Sequence, residues 1–228
     1  MKFHRYVGWS AGLFAIVAVV AWMLLYSTPD LALSAHFYDA HARAFPLQHQ
    51  PFIDFFGRRL VWFVPFGGAA LLALVAWKQP ARSQRRLAWA GAALFMGSGP
   101  LLAGVFKHLT AMPRPLNLDV FNGTEVMPPY FWTHSLAQAG NALPSAHAAS
   151  GFALLALFFA GSMLGRKGLA WTGLVLGLCA GLLFGFLRIV QGYHFLSQVV
   201  ASCAVLGLYG CALFYGLHRW ALHRRLMH

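Results

Sequence analysis

The sequence is poor in charge. Asp, Glu, Lys and Arg make up 10% of its 228 residues, where a soluble domain carries about a quarter. Only five residues are acidic: Asp30, Asp39, Asp54, Asp119 and Glu125. With 59% hydrophobic residues beside that scarcity, an ordinary soluble enzyme and a disordered tail are both excluded. The three cysteines, Cys179, Cys203 and Cys211, all lie inside apolar stretches, which excludes a disulfide scaffold. No Gly-rich phosphate loop, internal repeat or low-complexity tract is present.

What the chain does have is six apolar runs: Val7 to Tyr26, Leu60 to Trp77, Ala88 to Phe106, Ala148 to Gly165, Gly168 to Leu187 and Leu196 to Leu217. Each approaches the length needed to span a bilayer. They predict an all-α integral membrane protein, six transmembrane helices in a bundle forming a single domain over residues 1–228. The first run follows Lys2 and Arg5, but it is too long for a signal peptide and no small-residue cleavage site follows directly, so it reads as a retained span.

Seventeen Lys and Arg against five acids give a net charge of +12. Such a balance suggests nucleic-acid binding, yet the basic residues gather at the ends of the apolar runs, as topology signals do, and no nucleic-acid partner is expected. Lys2, Arg5, Lys78, Arg82, Arg85, Arg86, Arg166, Lys167, Arg219, Arg224 and Arg225 all fall on the side of the termini, which predicts that this side is cytoplasmic. All five acids fall on the other side. Arg43, Arg58, Arg59, Lys107, Arg114 and Arg188 oppose the bias, so something other than orientation keeps them there.

Two outward segments are long. Ser27 to Arg59 carries Phe37, Tyr38, Phe45, Phe52, Phe55 and Phe56 among polar residues, a pattern that suits an amphipathic helix in the outer interface, through packing on the bundle or through lipid capture. Lys107 to His147 holds five prolines, Pro113, Pro115, Pro128, Pro129 and Pro144, and the aromatic run Tyr130-Phe131-Trp132, which reads as an interfacial belt rather than a ligand cage. His108 and His134 read as loop or interface histidines.

Chemistry concentrates in three outward stretches. Lys107 and Arg114 stand seven residues apart, two turns if the start is helical, with Pro113 and Pro115 fixing the approach of Arg114; taken alone, both equally suit snorkelling to headgroups. Pro144-Ser145-Ala146-His147 feeds the fourth run, where Ser145 suits an N-cap or an anion site and His147 is placed to donate a proton. Arg188 closes the fifth run and His194 precedes the sixth, with Gln198 four residues on and on the same helical face as His194, within reach of its Nδ1–H. Three cations suit a tetrahedral oxyanion such as phosphate, and two imidazoles can divide nucleophilic and acid work. A metal site is the competitor, but cations crowd the place and no carboxylate or thiolate lies in the motifs.

At these residues the chain resembles the type 2 phosphatidic-acid-phosphatase superfamily, the membrane lipid phosphate phosphatases. The family signature reads Lys, six residues, Arg-Pro; then Pro-Ser-Gly-His; then Ser-Arg, five residues, His, three residues, Asp. Here the order and spacing are kept in Lys107 to Arg114-Pro115, Pro144-Ser145-Ala146-His147, and Leu187-Arg188 to His194 to Gln198. The resemblance implies a six-helix membrane bundle with its site at the outer leaflet boundary. It casts His194 as a nucleophile forming a phosphohistidine, His147 as the acid for the leaving oxygen, and Lys107, Arg114 and Arg188 as a phosphate clamp aided by Ser145 and nearby backbone N–H groups. It implies no metal or organic cofactor.

Leu187, Ala146 and Gln198 depart from the signature. The first two bear on one phosphate hydrogen bond and on loop freedom. The third is the larger departure, because a neutral amide orients an imidazole but does not stabilise its positive charge as a carboxylate does. The implied protein is a bacterial inner-membrane phosphatase with cytoplasmic termini and a periplasmic site. It removes a terminal phosphate from a lipid such as undecaprenyl pyrophosphate, phosphatidylglycerophosphate, phosphatidic acid or a lipid A anchor. Its partners are the lipid phosphate and the bilayer. A lipid phosphotransferase and a catalytically weak lipid-phosphate-binding protein remain alternatives, since the motifs do not encode the acceptor.

Overall fold

The structure, a computed structural model, describes residues 2–25, 27–129, 131–132 and 139–226; Tyr26, Tyr130 and His134 lie outside the described residues. Among those described there is no β-strand, only three isolated bridges. The helices are α1 (Lys2–Leu24), α2 (Thr28–His36), α3 (Pro51–Phe55), α4 (Val61–Trp77), α5 (Gln84–Phe106), α6 (Ala146–Phe152), α7 (Leu155–Met163), α8 (Lys167–Val190) and α9 (Leu196–Leu226). Five stretches are long and apolar enough to cross a membrane: Phe3–Leu24, Gln84–Phe106, Ala146–Met163, Lys167–Val190 and Leu196–Arg224. The second run of the sequence becomes the shorter apolar helix α4, lengthened at its start by a π turn over Phe56–Leu60 that joins it to α3.

The helix ends follow local chemistry. Ser27, Ser83 and Ser145 are N-caps whose side chains accept from Asp30 N, Arg86 N and Ala148 N. After α7, Gly165 takes φ +68 and Arg166 N–H reaches back to the Gly161 carbonyl at 2.8 Å; after α8, Gly192 takes φ +72 and Tyr193 N–H reaches the Arg188 carbonyl at 2.9 Å. Both are glycine-ended reversals in which a left-handed residue satisfies the last carbonyls of a helix. A Cβ on Gly192 would also meet the Phe45 ring at 2.5 Å.

Two expectations change in detail. The fourth run begins at Ala146, where the Ser145 cap sets the start, and it is interrupted between α6 and α7. There Leu154 N–H bonds Gly151 O, Ala156 N–H bonds Ala153 O and Leu157 N–H bonds Leu154 O, an i to i+3 pattern that tightens one turn without proline. The first outward segment forms two short helices rather than one amphipathic helix. Asp39 accepts from the N–H groups of His41 and Ala42 and turns the chain between them, as Asp does in tight turns.

α1 packs along α9, α4 along α5, and α6 and α7 along α8, while α5 also touches α6, α7 and α9. Between helices in lipid, close backbone approach replaces water exclusion as the driving force. On α8, Gly173, Gly177 and Gly181 recur every fourth residue, and a Cβ on Gly173 would collide with the backbone nitrogen of Phe158. Phe95, Phe152, Phe159 and Phe214 fill the centre. Several of the fully buried polar side chains, Ser145, Gln191, Ser197, Gln198 and Ser202, gather where α6 and α9 begin.

Candidate active site

Lys107 is the C-cap of α5, and the helix does not continue to Arg114. The expected two helical turns between the cations are therefore absent. His108 N–H and Leu109 N–H close tight turns onto Val105 and Phe106, and the chain then leaves to pair with the outer loop through Ala111 N–H to the Phe131 carbonyl, 2.9 Å. Arg114 is extended and Pro115 starts a short 3-10 turn. Even so, both cations serve one region. Burial, together with the Arg114 charge, holds the Lys107 ammonium below the usual lysine range. The guanidinium carbons of Arg114 and Arg188 lie 5.7 and 5.1 Å from the centre of the same Tyr193 ring.

Ser145 is fully buried. Its Oγ accepts from Ala148 N–H at 3.3 Å, so it is the N-cap, with its own O–H still free to donate elsewhere. The backbone around it is sewn to α9: Ser145 N–H donates to the Gln198 carbonyl at 3.1 Å, and Ser202 Oγ donates to the Ser145 carbonyl at 2.9 Å. Thr110 Oγ1 donates to the Leu143 carbonyl at 2.7 Å. The first two motifs are thus tied to each other, and the second to the third.

His147 stands in the first turn of α6, with Nε2 2.8 Å from an Arg188 Nη2. A guanidinium only donates, so Nε2 is the acceptor and the ring proton sits on Nδ1. Arg188 is held on two more sides, by Gln191 Oε1 at 2.7 Å and the Gly57 carbonyl at 2.7 Å.

His194 emerges from the Gly192 reversal immediately before α9. Its Nδ1 is 2.9 Å from Gln198 Oε1, as the four-residue spacing predicts. Gln198 Oε1 also accepts from Phe195 N–H at 3.2 Å, and its Nε2 donates to the Pro113 carbonyl at 2.9 Å. With Nδ1–H engaged, Nε2 keeps its lone pair. Burial holds the His194 imidazole down to about 3, with the Arg114 and Arg188 charges adding to it against the hydrogen bonds it donates to Gln198 Oε1 and the Ala142 carbonyl oxygen. The two histidine rings lie 6.0 Å apart, centre to centre.

Several residues here were not foreseen. Gln191, inside the third stretch, links Arg188 to the first outward segment by donating to Asp54 Oδ1 at 3.1 Å and the Gln48 carbonyl at 3.2 Å. Gly57 belongs to the π turn, a feature common at functional sites; a Cβ there would lie 2.8 Å from Arg188 Cζ. Asp30 of α2, buried against the start of α9, accepts from Ser197 N–H at 2.9 Å; burial raises its carboxyl above the usual range against that bond. The one available signal was a polar Gln beside Arg188 at a helix end. Phe131 and Trp132 line an apolar groove of ≈ 300 Å³ with Trp22, Phe106, Thr110 and Pro144, beside the first two motifs. Among the described residues, no three His, Cys, Asp or Glu converge in a metal-ligand group.

Gln198 offers a separable test. Gln198→Leu removes the side-chain acceptor of His194 Nδ1 and should slow turnover about fivefold, since a net hydrogen bond is worth about 1 kcal/mol. Gln198→Asp keeps an acceptor but loses the donor to Pro113, so turnover should survive while thermal stability falls by about 1 to 3 kcal/mol. Normal turnover in Gln198→Leu would remove the orienting role.

Comparison with known proteins bears on the same residues. The chain is 24% identical over 97% of its length, and 95% of the relative's, to a lipid A 4'-phosphatase of Francisella tularensis subsp. novicida (strain U112). No solved structure matches. The PAP2 superfamily model matches residues 86–222, a stretch that takes in all three motifs and stops short of Gln48, Asp54 and Gly57. That match spans more than half of a multi-pass helical membrane protein, and the chain belongs to the PAP2 superfamily.

Proposed function

We propose that the protein is a lipid phosphate phosphatase of a bacterial inner membrane, acting at the periplasmic face through a phosphohistidine on His194 and without a metal or organic cofactor. The observation that carries this reading is the Nδ1 contact of His194 with Gln198, which leaves Nε2 as a neutral nucleophile beside the Arg188–His147 pair. Nε2 attacks phosphorus and the bond from phosphorus to the lipid oxygen breaks. A phosphate oxygen takes over the Arg188 N–H, and the freed lone pair of His147 Nε2 takes the hydroxyl proton of the monoanionic substrate phosphate and passes it to the leaving oxygen. Water, deprotonated by His147, then attacks phosphorus, the P–N bond breaks, and inorganic phosphate leaves. Lys107, Arg114 and Arg188 stabilise the charge on the transferring group, aided by the Ser145 hydroxyl. The three motifs act within one domain spanning the chain.

The groove beside Thr110 and Pro144 accommodates the acyl part of the substrate. The similarity to a lipid A 4'-phosphatase makes the phosphate of a lipid A glycolipid the first substrate to try, ahead of phosphatidic acid, phosphatidylglycerophosphate and undecaprenyl pyrophosphate. The deciding experiment is phosphate release from that panel by detergent-solubilised protein. One substrate should be turned over well, and its turnover should persist in EDTA. Release of no phosphate from any of them would overturn the reading.

Orientation is testable separately. A cysteine in the segment 117–124 should be labelled by an impermeant thiol reagent added outside, and one replacing Ser83 should not, because Arg82, Arg85 and Arg86 surround it. The reverse pattern would move the site to the cytoplasm.

A further inference from the structure

A second cavity, of ≈ 510 Å³, opens between the first turns of α5 and the last turns of α9, lined by Arg82, Arg86, Leu87, Ala90, Trp220 and Arg224. α5 runs from Gln84 to Phe106, the residue before Lys107, so about 33 Å of helix separates this cavity from the candidate active site. That is about the hydrocarbon thickness of a bilayer. Phe3 of α1 lies against His218 of α9, ring centres 4.7 Å apart, which places the start of α1 at this same end of the bundle.

The lining has two halves. Leu87, Ala90 and the half-exposed Trp220 give an apolar wall, and three arginines, Arg82 in the turn before α5, Arg86 in its first turn and Arg224 near the end of α9, give a cationic rim. Arg224 lies with its guanidinium carbon 4.4 Å from the centre of the Trp220 ring, which orients the guanidinium fork at the junction of wall and rim. All five acids of the chain belong to residues 30–54 or 119–125, in the segments joining the other ends of these helices. Among the described residues, no Asp or Glu side chain stands at this end of the bundle to face the three arginines. A soluble anion has no use for the apolar wall, and a zwitterionic lipid meets three cations with a positive group of its own.

We infer that this cavity binds an anionic phospholipid of the leaflet opposite the candidate active site. The phosphodiester lies among Arg82, Arg86 and Arg224, and the first part of an acyl chain lies along Leu87, Ala90 and Trp220. Basic pockets between membrane helices recognise lipid headgroups through this combination. The bound lipid joins the ends of α5 and α9 whose far ends carry Lys107 and lead to His194.

The test is the melting temperature of delipidated, detergent-solubilised protein titrated with phosphatidylglycerol, phosphatidylcholine or sodium phosphate. Phosphatidylglycerol should raise it saturably; the other two should not. In Arg82→Gln/Arg86→Gln/Arg224→Gln the apparent affinity for phosphatidylglycerol should fall on the order of a hundredfold, with turnover of a short-chain lipid phosphate unchanged. Should that variant fail to fold, Ala90→Trp keeps the charges, fills the cavity and should abolish the same response. An equal response to phosphatidylcholine or to free phosphate overturns the inference. So does a phosphatidylglycerol response that persists in the variants, because it then arises at the outer site.

Discussion

His194→Ala is expected to lose phosphoenzyme formation altogether and turnover by on the order of 10⁴-fold or more, the scale of removing a covalent nucleophile. His147→Ala is expected to behave differently. With a p-nitrophenyl ester, whose leaving group needs no proton, it should still form the phosphoenzyme, and it should stall with an alkyl lipid phosphate. The split follows from the division of labour between two rings 6.0 Å apart. Because burial holds His194 to about 3, its Nε2 is neutral above about pH 5. The amplitude of the phosphoenzyme burst should therefore stay flat from about pH 5 to about pH 8, without a step near the usual histidine value of about 6.5. A step there would mean that the nucleophile titrates as an exposed imidazole.

Arg188 carries the second large effect. Arg188→Ala should cost on the order of 10²- to 10³-fold in kcat/KM, since one preorganised oxyanion donor contributes roughly 2.7 to 4 kcal/mol. The side chain is buried and held by Gln191, Gly57 and His147, so its removal also threatens folding. Arg188→Lys keeps the charge and loses the fork, and it should still lose more than about tenfold. Gly57→Ala approaches the same group from the other side: a Cβ 2.8 Å from Cζ forces the guanidinium to move. It should depress kcat while leaving the overall helical content unchanged. Normal activity in Arg188→Lys and Gly57→Ala together would return Arg188 to a purely structural or headgroup-anchoring role.

Much of this site was legible from spacing. Arg188 and His194 are six apart because a glycine reversal occupies the interval, and Gln198 meets His194 because four residues bring a helix back to the same face. Of the two readings of Ser145, the structure shows the cap: the hydroxyl accepts from Ala148 N–H, which leaves its own proton to give. The clamp's support was not legible. Gly57 acts through a main-chain carbonyl, which every residue type has, and lies 131 residues from the arginine it holds. Asp54 accepts from Gln191, 137 residues away, so no motif carries it. The helix after Lys107 was overestimated for a similar reason: no proline stands between Lys107 and Pro113, and α5 ends in tight turns at His108 and Leu109 before Ala111 pairs with Phe131 across the loop. The tight turn in the fourth run has no proline either, so the hydropathy profile runs through it unbroken.

The account rests on a covalent bond between phosphorus and one histidine, and trapping it is the most direct measurement. Protein mixed with a ³²P-labelled lipid phosphate and quenched in alkaline denaturant, where phosphohistidine survives and phosphate esters of the substrate are washed away, should carry the label on the peptide containing His194, with acid releasing it. Label on any other residue, or vigorous turnover with no trapped label and full dependence on an added metal ion, would contradict it.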